Sequence, residues 1–290
     1  MSGNMDSDAC DSSGTSNPSV SMAKANFKVL PCGDARIQAV EACSSQSFSR
    51  HTHEQFGIGL LTHGASKSFS GCGMVEAGAG DVITVNPNEV HDGAPLGDGG
   101  RSWKMLYLEP GFAVELLRDG DTGLGGASLE FSAPVLSDAG LATKFERAYA
   151  AATSALPGAR LAAEQHLLDL MAQTLLRRRA AAARAAAPTA IAQSMMEDDP
   201  LSDWSLSELA DACGLSRFQL VRSFARNTGF TPHAFLLHRR ILMARRMIAG
   251  GMALAEAAAA SGFADQSHMT RVFTRKYGVA PGAFAISFKT

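Results

Sequence analysis

From about Phe27 to Phe131 the chain runs in short apolar stretches cut by glycine. Phe56–Leu61, Lys67–Phe69, Met74–Glu76, Val82–Val85 and Trp103–Leu108 read as strands. Gly64, Gly71, Gly73, Gly78, Gly80, Gly93 and Gly97–Gly100 supply the turns between them. Many short strands at this spacing predict a small β-barrel or jelly roll.

After Asp138 the period changes. Leu141, Phe145, Ala148, Tyr149 and Ala152 follow helical spacing until Pro157-Gly158 breaks the run. Leu161, Leu168 and Leu175 then recur every seven residues, with Leu167, Leu170 and Met171 between them. The stripe is wide enough to pack on the barrel and also to meet a copy of itself in a short dimer seam. The plainer alternative is a helix pair buried on its own barrel. Arg177, Arg178 and Arg179 close the predicted helix, where cations suit the negative end of its dipole. The Ala/Arg tract that follows, to Ala187 and Pro188, reads as a linker.

The last hundred residues carry one pattern twice. Arg222, Phe224, Arg226, Gly229, Pro232 and Phe235 are matched, 49 residues on, by Arg271, Phe273, Arg275, Gly278, Pro281 and Phe284. Upstream of each copy is a helix-turn-helix pattern. In the first, Leu206, Leu209 and Ala210 precede a turn at Gly214, Ser216 caps the next helix, and Leu220 and Phe224 face its core. In the second, Leu254, Ala257 and Ala258 precede Gly262, Asp265 is the cap, and Met269 and Phe273 are the core pair. Between the copies, Pro232 to Ile248 reads as a long helix with Leu236, Leu237, Ile241, Ala244 and Ile248 on its apolar face. Arg239, Arg240, Arg245 and Arg246 read as its solvated face, and Gly250-Gly251 as its end.

The outward positions of the two second helices are Arg217, Phe218, Gln219, Val221 and Arg222, then Gln266, Ser267, His268, Thr270 and Arg271. Arg and Gln are the side chains whose paired groups match guanine and adenine edges in the major groove. A helical bundle with solvated arginines is the bland alternative, but it does not explain two copies in register.

Composition sharpens this picture. The 290 residues are 46% hydrophobic, enough for two cores, and the formal charge of −2 hides an asymmetry. Residues 188–290 carry 11 Lys and Arg against 8 Asp and Glu, a net +3, leaving −5 on the rest. The basic half is the helix-turn-helix half, as a DNA contact requires. Five scattered cysteines without a CxxC pair predict reduced thiols in a cytoplasmic protein. No apolar run reaches the ~18–20 residues of a membrane span, and the N-terminus does not read as a secretory signal. Residues 1–22, rich in Ser, Asp, Gly and Asn, read as a disordered tail.

The run Gly262-Phe263-Ala264-Asp265-Gln266-Ser267-His268-Met269-Thr270-Arg271-Val272-Phe273, followed by Gly278 and Pro281, resembles the signature of AraC/XylS-type transcription regulators. The resemblance spans about residues 190–285. It implies two helix-turn-helix units on a connecting helix, set to enter successive major grooves of double-stranded DNA about 34 Å apart. Carried over by position, it places DNA contacts on Arg217, Phe218, Val221, Arg222, Gln266, Ser267, His268, Thr270 and Arg271. It also implies RNA polymerase as a further partner. Two positions depart from the family: Val221 is apolar where a polar reader is common, and Phe284-Ala285 stands in place of Tyr-Arg.

In the strand region, His51-Thr52-His53-Glu54 and, later, Gly80-Asp81-Val82, Pro87 and His91 resemble the two motifs of the cupin barrel, in the order found in the sensory domain of many AraC-type regulators. In metal-binding cupins two His, a Glu a few residues on and a later His converge on one ion. Here Glu54 directly follows His53 and would project from the opposite side of a strand, while Phe56 and Gly57 occupy the expected acidic place. The sequence therefore predicts no metal, no cofactor and no catalytic residues. It predicts instead an effector pocket drawn from His51, His53, Glu89, His91, Trp103 and Tyr107.

The expected fold class is multidomain α+β. A tail (1–22) precedes a cupin-like β-barrel (23–135) and a helical dimerisation or packing segment (136–184). A linker (185–200) then leads to an all-α double helix-turn-helix domain (201–290). The function expected is a homodimeric, effector-modulated DNA-binding transcription regulator. A cupin metalloenzyme with a helical appendage is the rival, and it leaves the duplication without a purpose. A third reading is a regulator without effector, whose barrel only dimerises.

Overall fold

The glycine-punctuated half folds into antiparallel strands, and three of them precede the run at Phe56 that was expected as the first strand. In a computed structural model, which describes residues 26–97, 99–117, 127–179 and 188–286, the strands start at Asn26. The expected tail over 1–22 and the Ala/Arg tract over 180–187 lie outside the described residues. Eight strands follow in order: β1 (Asn26–Leu30), β2 (Ile37–Ser44), β3 (Phe48–His51), β4 (Phe56–Ser70), β5 (Gly73–Gly78), β6 (Val82–Val85), β7 (His91–Pro95) and β8 (Arg101–Leu108). The short helix α1 (Pro110–Leu116) leads on to β9 (Ala127–Phe131) and β10 (Val135–Leu136).

The main sheet runs β1-β2-β8-β4-β6-β10; β5 and β7 pair with β4, and β3 pairs with β7. Strand β4 organises it. Its first half pairs with β6 and its second half with β5 and β7, so the two runs expected as separate strands are one bent strand. The bend falls at Gly64, with φ +72°, beside a register shift against β8. A Cβ there would stand 2.2 Å from the Gly100 carbonyl oxygen, so only glycine lets the strands cross.

Period-two alternation sorts these strands between two environments. Phe56, Ile58 and Leu60 of β4, Leu106 and Leu108 of β8, and Ile37 and Ala39 of β2 face a helical layer. Leu61, Trp103, Met105, Tyr107, Gln38 and Val40 face an internal cavity. The helical layer is α2 (Ala139–Ala152) and α3 (Ala159–Thr174), which bury Phe145, Ala148, Tyr149, Leu167, Leu170 and Met171 on the sheet. Two expectations change here. The helix ends at Thr174, and Leu175–Arg179 form strand β11 paired antiparallel with β9, so the three arginines do not close a helix. The heptad leucines also diverge: Leu161 is 71% exposed, Leu168 is half-buried, and Leu175 packs on the sheet's core.

The C-terminal half is helical from α4 (Ala190–Asp198) through α5 (Leu206–Ala212), α6 (Arg217–Thr228), α7 (Pro232–Ala249), α8 (Leu254–Ala260), α9 (Gln266–Tyr277) and α10 (Pro281–Ile286). Residues 190–198, expected as linker, are helix α4, and its Ala192 and Met196 complete the first helix-turn-helix core. The duplication is a duplication of packing. Phe224 and Phe273 are fully buried, and each meets its repeat partner, Phe235 at 5.4 Å or Phe284 at 5.3 Å between ring centroids. Gly229 and Gly278 end α6 and α9 at φ 76° and 73°, and Pro232 and Pro281 start the next helix in each copy. Helix α7 gives Leu236 to the first core and Ile241, Ala244 and Ile248 to the second. Arg240 bolts the units together by donating to the carbonyls of Pro200 at 2.8 Å, Ser202 at 3.1 Å and Gly262 at 3.1 Å.

Truncating either buried ring, Phe224→Ala or Phe273→Ala, is expected to destabilise its unit by about 3–5 kcal/mol in denaturant unfolding. Phe218→Ala, 69% exposed on the same helix as Phe224, should stay within about 0.5 kcal/mol of the parent.

Candidate functional site

The segment Arg50–Gln55 joins the two halves, and it uses both of its sides. His51 and His53 turn into the barrel cavity. Arg50, Thr52, Glu54 and Gln55 engage the helical half. Arg50 donates to the Gly229 carbonyl at 2.9 Å, and its own carbonyl accepts from the Lys276 ammonium at 3.0 Å. Thr52 Oγ1 lies 2.6 Å from His238 Nε2, and Glu54 forms a two-bond ion pair with Arg246. Arg245 donates to Gln55 and to Gln38, each at 3.3 Å. Gly278 packs against the Phe27 ring so closely that an added Cβ would stand 2.3 Å away.

The cavity measures about 180 Å³ and is walled by both halves. All six residues expected for an effector pocket, His51, His53, Glu89, His91, Trp103 and Tyr107, stand on its wall. The helical half adds Arg245, Lys276, Tyr277, Val279 and Phe284. The Glu89 carboxylate is already engaged, accepting from the main-chain N–H groups of Gly71 and Asn86 and from the Asn86 amide. Trp103 is braced edge-on by Phe27 and Phe48, with the Arg101 guanidinium 5.0 Å above its ring.

Histidines dominate the electrostatics. Burial pushes His51 and His53 well below the usual imidazole value, and their histidine neighbours push further. Burial also lowers His91, and it lowers His238, with Lys276 adding to the effect on the latter. All four rings are therefore neutral near pH 7. Burial draws Lys276 down to about 8 and raises the Tyr107 and Tyr277 hydroxyls to about 12. One ring nitrogen each from His51, His53 and His91 lies within 4.8 Å of the others, a set that could hold a metal ion without any carboxylate. The expectation of no metal rested on the missing acid alone. Glu54 does point away, to Arg246.

The expected DNA contacts lie on α6 and α9. Arg217, Phe218, Arg222, Gln266, Ser267 and Arg271 are exposed, while Val221, His268 and Thr270 are half-buried. Ser216 and Asp265 cap the two helices, as their positions predict. Gln219 closes the capping box, its side-chain oxygen accepting from the Ser216 N–H at 3.0 Å. Helix α9 also meets the barrel: Thr270, Arg271, Thr274 and Arg275 face Gln46, Ser47 and Phe48 across a cleft.

A ligand-sized cavity in a β-domain, shut by a tandem pair of helix-turn-helix units, defines a DNA-binding transcription regulator with its own ligand-binding domain. The chain belongs to the AraC-type regulators: residues 36–171 match the AraC-like ligand binding domain family and residues 209–285 a helix-turn-helix domain family. The regulator YbfI of Bacillus subtilis is 24% identical over 231 residues, covering 77% of this chain and 82% of YbfI. The regulator MtrA of Neisseria gonorrhoeae is 32% identical over 88 residues, 30% of this chain and 29% of MtrA. Among solved structures, a wild-type ToxT of Vibrio cholerae with a bound unsaturated fatty acid shares the fold, with a TM-score of 0.53 at 14% identity over 91% of this chain and 96% of that one. The rival reading as a cupin enzyme finds no support among these relatives. No helix among the described residues is long and apolar enough to cross a membrane.

The sequence pattern missed Arg245, Lys276, Tyr277 and His238. Arg245 and Arg246 were expected on a solvated face, yet both are tied to the barrel segment. A signal existed. Arg245 follows Ile241 by four, and Lys276 follows Phe273 by three, which places a cation on each helix's buried side.

The neutral histidines set a pH dependence. Their folded values lie below the ordinary 6.5, so below pH 6.5 the unfolded chain binds protons that the folded chain refuses. Stability should fall from pH 6.5 towards 5 by up to about 1.4 kcal/mol per pH unit for each ring kept neutral. Denaturant unfolding of chelator-treated protein checks this, and His53→Gln should flatten the slope by the share of one ring.

Proposed function

We propose that the chain reads a two-part operator with α6 and α9, and that a small, mostly apolar effector in the barrel cavity adjusts how α9 is held. The observation that carries this reading is the shared wall. Trp103, Tyr107 and the three histidines come from the barrel, while Arg245, Lys276 and Tyr277 come from the helices that carry the second reader. An effector touching that wall has different contacts when the helical half is docked and when it is not, which is the condition for coupling two sites. The fatty acid bound to a ToxT of the same fold supports an effector with an apolar body.

In this reading Arg217, Phe218, Val221 and Arg222 meet one major groove, and Gln266, Ser267, His268, Thr270 and Arg271 the next. Phe218 is braced by Arg222, whose guanidinium carbon lies 5.4 Å from its ring centroid, and the pair presents one apolar and one cationic group together. The regulator works in the cytoplasm as a homodimer, engages RNA polymerase, and carries no catalytic function. Exposed Leu156 and Leu161, 75% and 71% accessible beside and on α3, support a self-contact narrower than a full heptad seam.

Arg222→Ala and Arg271→Ala should each weaken operator binding by about 1–3 kcal/mol, with the loss confined to one operator element per variant. Electrophoretic or fluorescence titration against duplexes altered in one element at a time measures it. Unchanged affinity in both variants would remove the double-reader account. An effector found by thermal shift should lose its hold on the Trp103→Ala protein.

A further inference from the structure

The geometry points to a divalent late transition-metal site formed by His51, His53 and His91, opening onto the barrel cavity. The three rings stand with centroids 4.4–5.1 Å apart, and one nitrogen of each lies within 4.8 Å of the others. Around an ion held at about 2.1 Å, ring nitrogens sit roughly 3.4 Å apart, so closure asks each to move inwards by less than about 1 Å.

Two of the rings are already set as metal ligands are. His51 Nδ1 lies 2.8 Å from the Ser49 carbonyl oxygen and His91 Nδ1 lies 3.0 Å from that of Glu89. A carbonyl only accepts, so in both rings Nδ1 carries the proton and Nε2 keeps its lone pair. A main-chain carbonyl on the far nitrogen is the usual support of a metal-bound imidazole. His53 supplies the independent sign: its Nδ1 is fully buried and meets no hydrogen-bond partner.

The donor set selects the ion. Three imidazoles and no carboxylate suit Zn²⁺, Co²⁺, Ni²⁺ or Cu²⁺ and not Mg²⁺ or Ca²⁺, which demand oxygen. Neutral ligands leave the ion its full charge, and Arg245 and Lys276 face the same cavity. Water or an anion would complete the coordination sphere, and the two flanking cations favour an anion such as chloride or hydroxide. The Tyr277 hydroxyl, buried and without a partner, belongs to a side chain on the same cavity wall.

The test uses the full chain, stripped with chelator, desalted, and titrated with Co²⁺ by visible absorbance and with Zn²⁺ by calorimetry. The expected result is one equivalent of each and the intense d–d bands of four- or five-coordinate Co²⁺ without a thiolate charge-transfer band. His53→Gln and His91→Gln should weaken binding by about 100-fold or more, while the exposed His63→Gln leaves it unchanged. Should a histidine variant fail to fold, the ring ¹⁵N signals of the Co²⁺-loaded parent decide, with three imidazoles expected to be shifted. Less than one equivalent on the parent protein, thiolate bands, equal loss in His63→Gln, or fewer than three shifted rings would overturn the site.

Discussion

An extended chain has two sides, and between Arg50 and Glu54 this protein spends both. Consecutive side chains in an extended segment point in opposite directions. His51 and His53 therefore enter the cavity, while Arg50, Thr52 and Glu54 grip Gly229, His238 and Arg246 of the helical half. No shift of the histidines can leave their neighbours in place, because the same peptide units carry both sets. The rest of the architecture serves this segment. Strand β7 pairs with β3 and brings His91 opposite His51, and Lys276 reaches out of α9 to the Arg50 carbonyl.

The magnitudes fit a junction that can open. Arg246 and Glu54 are 61% and 29% exposed, so their ion pair is worth at most about 1 kcal/mol. The bonds of Arg245 to two glutamine amides are long, at 3.3 Å, and each contributes on the order of 1 kcal/mol. Lys276 is buried against one carbonyl and the Phe230 ring, an arrangement that offsets little more than its own desolvation. Within each half, by contrast, whole aromatic side chains are buried, at several kcal/mol apiece. The halves are thus firm and the seam between them is soft, and a ligand with a few kcal/mol of preference can reset it.

What the sequence announced and what it withheld follow the range of the interactions. The 49-residue repeat, the caps at Ser216 and Asp265 and the core pairs around Phe224 and Phe273 are local, and each is visible as spacing. The histidines and aromatics of the cavity were legible as residue types on short strands. Their convergence was not, because β3 meets β7 across about forty residues of chain. Strand β11 was hidden for a similar reason: Leu175–Arg179 continue a helical-looking composition, and only pairing with β9 makes them a strand. The missing carboxylate argued against a metal because the comparison was with a four-ligand set, whereas the proposed site has two imidazoles pinned by carbonyls and a third, His53, whose Nδ1 has no partner. Arginines 245 and 246 looked solvated because a lone helix gives no sign of what docks on it.

The cavity and helix α9 share one wall, and any coupling of ligand to DNA through that wall is reciprocal. Hydrogen exchange of the intact chain, with and without an operator duplex selected from random DNA, tests it most directly. Altered exchange is expected in the cavity strands at residues 91–95 and 103–107, beyond the protection of α6 and α9 themselves. Changes confined to residues 200–286, with the cavity strands exchanging alike in both states, would contradict it.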